Sequence, residues 1–137
     1  MTPHIATCVA IGRRGVLIEG PPGSGKSTLA LSLMDRGAQL VGDDGVMIAT
    51  DNGRLVAHAH PRTQGLLEIR NLGILPFPFR DNITVALMIM LDADAPRYIE
   101  EPSTVERGGV RLPALAVWPG SSALKVEQAL RVYGLPE

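Results

Sequence analysis

The stretch Val16-Leu17-Ile18-Glu19-Gly20-Pro21-Pro22-Gly23-Ser24-Gly25-Lys26-Ser27-Thr28 decides how this chain is read. Its second part satisfies G-x-x-x-x-G-K-[ST] without a mismatch, between an apolar, strand-like run and the helix-forming Thr28-Leu29-Ala30-Leu31-Ser32-Leu33-Met34. The chemistry of a triphosphate explains each residue type. Gly20, Gly23 and Gly25 let backbone N–H groups curl closely around phosphate oxygens, Lys26 reaches the β and γ oxygens, and the Ser27 hydroxyl is placed to ligate Mg²⁺. The helix that follows directs its positive end at the anion. Residues Gly20 to Thr28, with Pro21, Pro22 and Ser24 at the intervening positions, are therefore the expected binding loop for ATP and Mg²⁺.

What precedes the loop selects among folds. Ile5 to Ile11 and Val16 to Glu19 are two β-prone runs separated by Gly12-Arg13-Arg14-Gly15, which reads as a hairpin turn. An antiparallel pair built before the loop predicts a mixed sheet, because in most nucleotide-binding α/β folds a parallel crossover would follow instead. The chain of 137 residues suits one α/β domain spanning 1–137. Its 45% apolar and 4% aromatic content requires a core of Val, Leu, Ile, Ala and Met, which suits sheets covered by helices.

Further along, helix spacing predicts a first helix from Ser27 to Asp35, stopped by Arg36-Gly37, then a strand Gln39-Leu40-Val41-Gly42 that delivers Asp43-Asp44. Val46 to Ala49 and Leu55 to His58 flank the turn Asp51-Asn52-Gly53 as a second hairpin. Pro61 ends it. Gly65 to Ile74 follows, Pro76-Phe77-Pro78-Phe79 reads as an extended connector, and Thr84 to Leu91 is a strand buried on both faces. Ala93 to Thr104 is polar and aperiodic and reads as a surface loop. Val110 to Leu115 and Ala116 to Trp118 supply closing strands, and Ser121 or Ser122 caps a last helix ending at Tyr133, before Gly134.

The formal charge of −1, from 13 basic and 14 acidic residues, offers no electrostatic footprint for nucleic acid or an anionic membrane. Cys8 is the one cysteine and lies in an apolar run. With no signal-like opening and no apolar run of ~20 residues, the expectation is a cytoplasmic protein.

Phosphoryl transfer to a hydroxyl requires a carboxylate in the metal shell and another to take the alcohol's proton. Asp43-Asp44 can supply both, since two adjacent carboxylates are tolerable beside Mg²⁺ or Lys26. Asp92, ending an apolar strand, is the rival metal carboxylate. Glu68 and Arg70 alternate with Leu67 and Ile69, so in an extended segment both charges share a side, as a metal ligand and phosphate clamp or as a surface ion pair. Arg97 sits in the expected loop, from which an arginine can reach phosphoryl oxygens. His4, His58 and His60 have no convincing metal spacing.

Together these residues resemble the catalytic domain of bacterial HPr kinase/phosphorylase, the serine kinase of the phosphocarrier protein HPr. The resemblance rests on the strand pair before Gly20 to Ser27, the Leu40-Val41-Gly42-Asp43-Asp44 step, and Leu67-Glu68-Ile69-Arg70-Asn71-Leu72-Gly73-Ile74, which is similar to the family's signature. It implies a mixed α/β fold related to phosphoenolpyruvate carboxykinases, a Mg-ATP-dependent serine kinase acting on an HPr-like phosphocarrier, and assembly as a hexamer. By resemblance, Lys26 is the catalytic lysine, Ser27 and Glu68 are magnesium ligands, Asp44 accepts the serine proton, Asp43 supports it, and Arg97 lies in the active-site loop. Three departures stand out. His4 is one residue away from the position of the family's histidine, and a strand bulge is needed to restore its facing. Asn71 replaces a glycine, with a positive φ expected. Val117 to Ser122 lacks the basic residues linked to dephosphorylation, which leaves kinase activity better supported than phosphorylase activity. An ATP-binding sensor and a small-metabolite kinase are the competing readings.

Overall fold

The computed structural model describes residues 1–99 and 101–137. Among the described residues, eleven strands and two helices follow in the order β1 (Thr2–His4), β2 (Thr7–Ile11), β3 (Arg14–Glu19), α1 (Lys26–Asp35), β4 (Gln39–Gly42), β5 (Val46–Asp51), β6 (Arg54–Ala59), β7 (Leu66–Ile69), β8 (Gly73–Pro76), β9 (Ile83–Leu91), β10 (Ser103–Arg107), β11 (Val110–Val117) and α2 (Ala123–Tyr133). The hairpin before the phosphate loop is present: β2 and β3 pair antiparallel from Thr7↔Ile18 to Ile11↔Arg14.

The main sheet is mixed, as the leading hairpin predicts. Its path runs β1-β5-β6-β9-β3-β2-β4, with parallel pairing of β9 to both β3 and β11 and antiparallel pairing elsewhere. Strand β9 is the pivot. Its first residues, Ile83 and Thr84, pair with β6, whereas Met88 to Leu91 pair with β11, so the sheet forks along one strand. A strand in that position meets protein on both faces, which accounts for its continuous apolar sequence.

Two cores result. Val9, Val16 and Ile18 face the helices with Leu29, Leu33 and Leu130, while Cys8, Ala10 and Leu17 face the opposite way into Ile48, Leu55, Met88 and Leu112. This is the period-2 alternation of a strand whose neighbours lie on both sides. Leu33, fully buried, contributes about 1.5–3 kcal/mol by leaving water. Burial pushes the Cys8 thiol up to about 12, so it is an inert core residue.

Helix α1 buries Leu29, Ala30 and Leu33 and ends in paired bonds from Gly37 N to Met34 O and Ala38 N to Leu33 O, both 3.0 Å, with Gly37 left-handed. Ser122 caps α2 by accepting from Lys125 N. The edge of β4 is covered, because Arg80 N donates to Leu40 O at 2.7 Å.

Some boundaries differ from expectation. The expected strand Ile5 to Ile11 begins only at Thr7, as β2, and a separate strand, β1, precedes the run, ends at His4 and pairs with β5. The expected surface loop 93–104 gives way at Ser103 to β10, which pairs with β11. The two expected closing strands are one, β11. Its Pro113 sits just before Ala114, where pairing with β9 starts, so its missing N–H breaks no bond to β9.

Candidate active site

The end of β3 hands the chain to the phosphate loop at Gly20. A Cβ there would lie 2.7 Å from Ser24 Oγ and 3.0 Å from Leu91 Cβ, so the loop can fold back on the strand ends only with glycine. Gly23 and Gly25 take φ of 78° and 99°, the left-handed turns that wrap the loop onto the start of α1. Lys26 Nζ donates to the carbonyls of Gly20 (2.9 Å) and Pro21 (3.3 Å), bracing the loop from within. Ser24 Oγ is buried and lacks a hydrogen-bond partner.

Facing this loop, β4 ends in Gly42 and presents the two aspartates in different states. Asp43 is buried, and its carboxylate is saturated. Oδ1 accepts from Ser27 Oγ at 2.7 Å and Thr7 Oγ1 at 3.0 Å, and Oδ2 accepts from Glu68 N at 3.0 Å. This one side chain therefore ties together β2, the first turn of α1, and β7. Asp44 has φ of 58°, a left-handed conformation uncommon outside glycine, and its N–H reaches Thr7 Oγ1 at 3.4 Å. That backbone turn sends its exposed side chain into the cleft instead of along the sheet.

The cleft encloses about 200 Å³ between the loop residues Pro22 to Thr28 and Asp44, Glu68 and Arg70. The last two come from the β7–β8 hairpin, where Asn71 adopts φ of 69°, the positive value expected for the residue replacing glycine. Among the described residues there is no cluster of three or more His, Cys, Asp or Glu side chains. The donor set suits a hard cation shared with phosphate oxygens: one hydroxyl (Ser27), one carboxylate (Glu68) and room for water.

Other candidates lie elsewhere. Arg97 stacks over the Tyr98 ring at 5.5 Å, in a separate cleft beside Trp118 and Lys125. The Asp92 carboxylate accepts from Asp94 N at 2.9 Å in its own turn and does not line the phosphate cleft. His4 points to the sheet's second face, where its Nε2 is 2.7 Å from Glu19 Oε2. Arg107 completes that cluster with bonds of 3.1 and 2.8 Å to Glu19. Burial pushes the Glu19 carboxyl up, but the hydrogen bonds and charge of Arg107 and His4 outweigh it and leave the group below the usual glutamate range.

Two residues escaped the sequence reading. Thr7, fully buried, anchors Asp43, and Glu19 pins β1 and β10 beneath the loop. Thr7 opens β2 and Glu19 closes β3, and a polar side chain at the end of an apolar strand run is the signal that could have found them.

A family-wide sequence model described as the HPr Serine kinase C-terminal domain matches residues 2–85, a span that contains the loop, both aspartates, Glu68 and Arg70. The HPr kinase/phosphorylase of Clostridium tetani is 47% identical over 64 residues, covering 47% of this chain and 21% of that protein. The protein of the same name from Shouchella clausii is 53% identical over 62 residues, covering 44% and 20%. These alignments thus span about a fifth of the relatives' length. The solved Hpr(Ser) kinase/phosphatase from Coxiella burnetii superposes with a TM-score of 0.86 at 28% identity, covering 96% of this chain and 95% of that one. With the phosphate loop, the aspartate pair and the β7–β8 hairpin all inside the matched span, this chain belongs to the HPr serine kinase C-terminal domain family.

Proposed function

We propose that this chain is an ATP-dependent protein-serine kinase whose acceptor is an HPr-like phosphocarrier. The observation that carries the reading is the division of labour between the adjacent aspartates: Asp43 is saturated by three donors, while Asp44 faces the phosphate loop across an open cleft. Mg-ATP supplies the electrophilic phosphoryl group. Backbone N–H groups of Gly23 to Thr28 and the Lys26 ammonium hold its phosphates, and Ser27 and Glu68 hold the cation. Asp43 accepts the Ser27 hydroxyl hydrogen at 2.7 Å, which would leave that oxygen's lone pairs available to a cation. Asp44 orients the acceptor serine and takes its proton as the oxygen attacks. Arg70 lies on the same cleft wall as Glu68, placed to clamp phosphoryl oxygens.

The test is transfer of label from γ-labelled ATP, with Mg²⁺, to an HPr carrier and to the same carrier with its acceptor serine changed to alanine. Label on the native carrier alone supports the kinase. Nucleotide binding without label on either carrier overturns it and favours a sensor. In the reverse direction, release of pyrophosphate from phosphoserine carrier and inorganic phosphate measures phosphorylase activity.

A further inference from the structure

The phosphate cleft suits phosphates and a cation better than a whole nucleotide. It encloses about 200 Å³, and apart from Pro22 its described walls are glycines and polar or charged side chains, with no aromatic ring among them. A nucleotide base needs a flat apolar face to lie on.

Such faces gather in a second cleft. The chain has one Trp, two Tyr and two Phe, and the tryptophan and both tyrosines, Tyr98, Trp118 and Tyr133, line one hollow of about 340 Å³. Trp118 is 46% and Tyr98 73% exposed, a large ring area to leave in water beside a cleft. Trp118 Nε1 donates to Ala95 O at 2.8 Å, which holds the indole plane in position. Lys125 Nζ lies 5.4 Å from the Trp118 ring and the Arg97 guanidinium 5.5 Å from the Tyr98 ring, so the cleft also carries positive charge that complements a phosphate-bearing ligand.

Its place in the fold links this cleft to the phosphate loop. Strands β3, β9 and β11 lie parallel and side by side, and both clefts form where they end: Glu19 leads into Gly20, Leu91 into the segment carrying Ala95 to Ile99, and Val117 into Trp118. Ligands of α/β sheets bind outside the carboxyl ends of such strands. Two strand spacings, about 10 Å, separate β3 from β11. The contacts across that gap are continuous, since a Cβ on Gly20 would meet Leu91 and Asp92 N donates to Val117 O at 2.9 Å.

Building on the reading of the loop as an ATP site, we propose that the Tyr98–Trp118 cleft receives the base of the nucleotide whose phosphates the loop holds. The purine lies against the Trp118 and Tyr98 rings, the ribose crosses the end of β9, and Arg97 and Lys125 add positive charge beside it.

The test compares a non-hydrolysable ATP analogue with inorganic tripolyphosphate, which has the phosphates and no base. Both are titrated with Mg²⁺ into the full chain, followed by calorimetry and by the emission of Trp118, the single tryptophan. The analogue is expected to bind about tenfold tighter and to quench Trp118 saturably, while tripolyphosphate binds without quenching. Trp118→Ala and Tyr98→Ala should each weaken the analogue severalfold and leave tripolyphosphate affinity unchanged. Tyr98→Ala alters an exposed side chain and decides the matter even where Trp118→Ala fails to fold. Equal affinity of the two ligands for the parent, or parental affinity for the analogue in the folded variants, overturns the base site while leaving the loop its phosphates. Binding of neither ligand removes the ATP reading itself, and the base site with it.

Discussion

Replacing Thr7 by valine isolates the interaction on which the aspartate pair depends. Threonine and valine have nearly the same shape, so Thr7→Val leaves no cavity at a fully buried position; it removes one O–H donor and, with the oxygen, the weak acceptor that Asp44 N reaches at 3.4 Å. That O–H is one of three donors to the buried Asp43 carboxylate, at 3.0 Å, beside Ser27 Oγ at 2.7 Å and Glu68 N at 3.0 Å. A hydrogen bond to an ionised group is worth about 1.5–3 kcal/mol, so the expected loss is about 2 kcal/mol. For a chain of this length that lowers Tm by roughly 6–8 °C. Thr7→Ser makes the complementary change: it keeps the donor and deletes a buried methyl, at a cost of about 1 kcal/mol. Urea unfolding at pH 7 of the three proteins, with m-values compared to verify a common unfolding transition, ranks them. The expected order is threonine, serine, valine. Valine within ~0.5 kcal/mol of the parent, the error scale of such comparisons, would refute the anchoring role, as would serine falling below valine.

Three further outcomes are expected. Asp44→Asn should retain Mg-nucleotide binding and lose phosphoryl transfer by roughly 10²–10⁴-fold, the usual contribution of a positioned base; an unchanged transfer rate would remove Asp44 from that role. Gly20→Ala places a methyl 2.7 Å from Ser24 Oγ, and should cost about 1–3 kcal/mol by overpacking while weakening nucleotide binding; calorimetric titration showing parental affinity would contradict the close-approach reading. Glu19 has a lowered folded pKa, so its stabilising contribution is present above the ordinary glutamate range and disappears as pH falls through the lower folded value. The stability gap between parent and Glu19→Gln should therefore narrow as pH is taken from about 5 to 3, and a gap constant with pH would argue against the ion-pair account.

The architecture near the site was legible because local rules and tertiary demands agree there. Gly12 and Arg13 turn the hairpin between Ile11 and Arg14, a tighter turn than the expected Gly12 to Gly15; Gly23, Gly25 and Asn71 take positive φ, Gly20 does not; and Glu68 in β7 shares a cleft wall with Arg70, the first residue past that strand. What resisted reading depends on partners distant in sequence. The break between His4 and Thr7 follows from β1 leaving for β5, and nothing in the residues 5–6 announces it. Strand β10 depends on β11, with which it pairs from Val110 to Ala114, a partner that residues 103–107 do not announce by themselves. Arg97 was placed at the site by resemblance, and its stacking on Tyr98 is a contact between neighbours in sequence that the loop's geometry alone decides.

The forked sheet ties the phosphate loop to the opposite end of the molecule. Strand β3 carries Arg14 at its start and Glu19 at its end, so the phosphate loop and the far end of the sheet are separated by one six-residue strand, an extended span of about 20 Å. Strand β9 runs parallel beside it, from Thr84 and Val85 paired with Arg14 and Gly15 to Leu91 against Gly20. Both strands are packed on both faces, with Val16 and Ile18 in one core and Leu17 in the other, which leaves little freedom for either end to shift independently. The Glu19 cluster adds a lateral tie from the loop end of β3 to β1 and β10. A shift of β3 along its axis would strain that tie and change the spacing between Gly20 and Asp44 together.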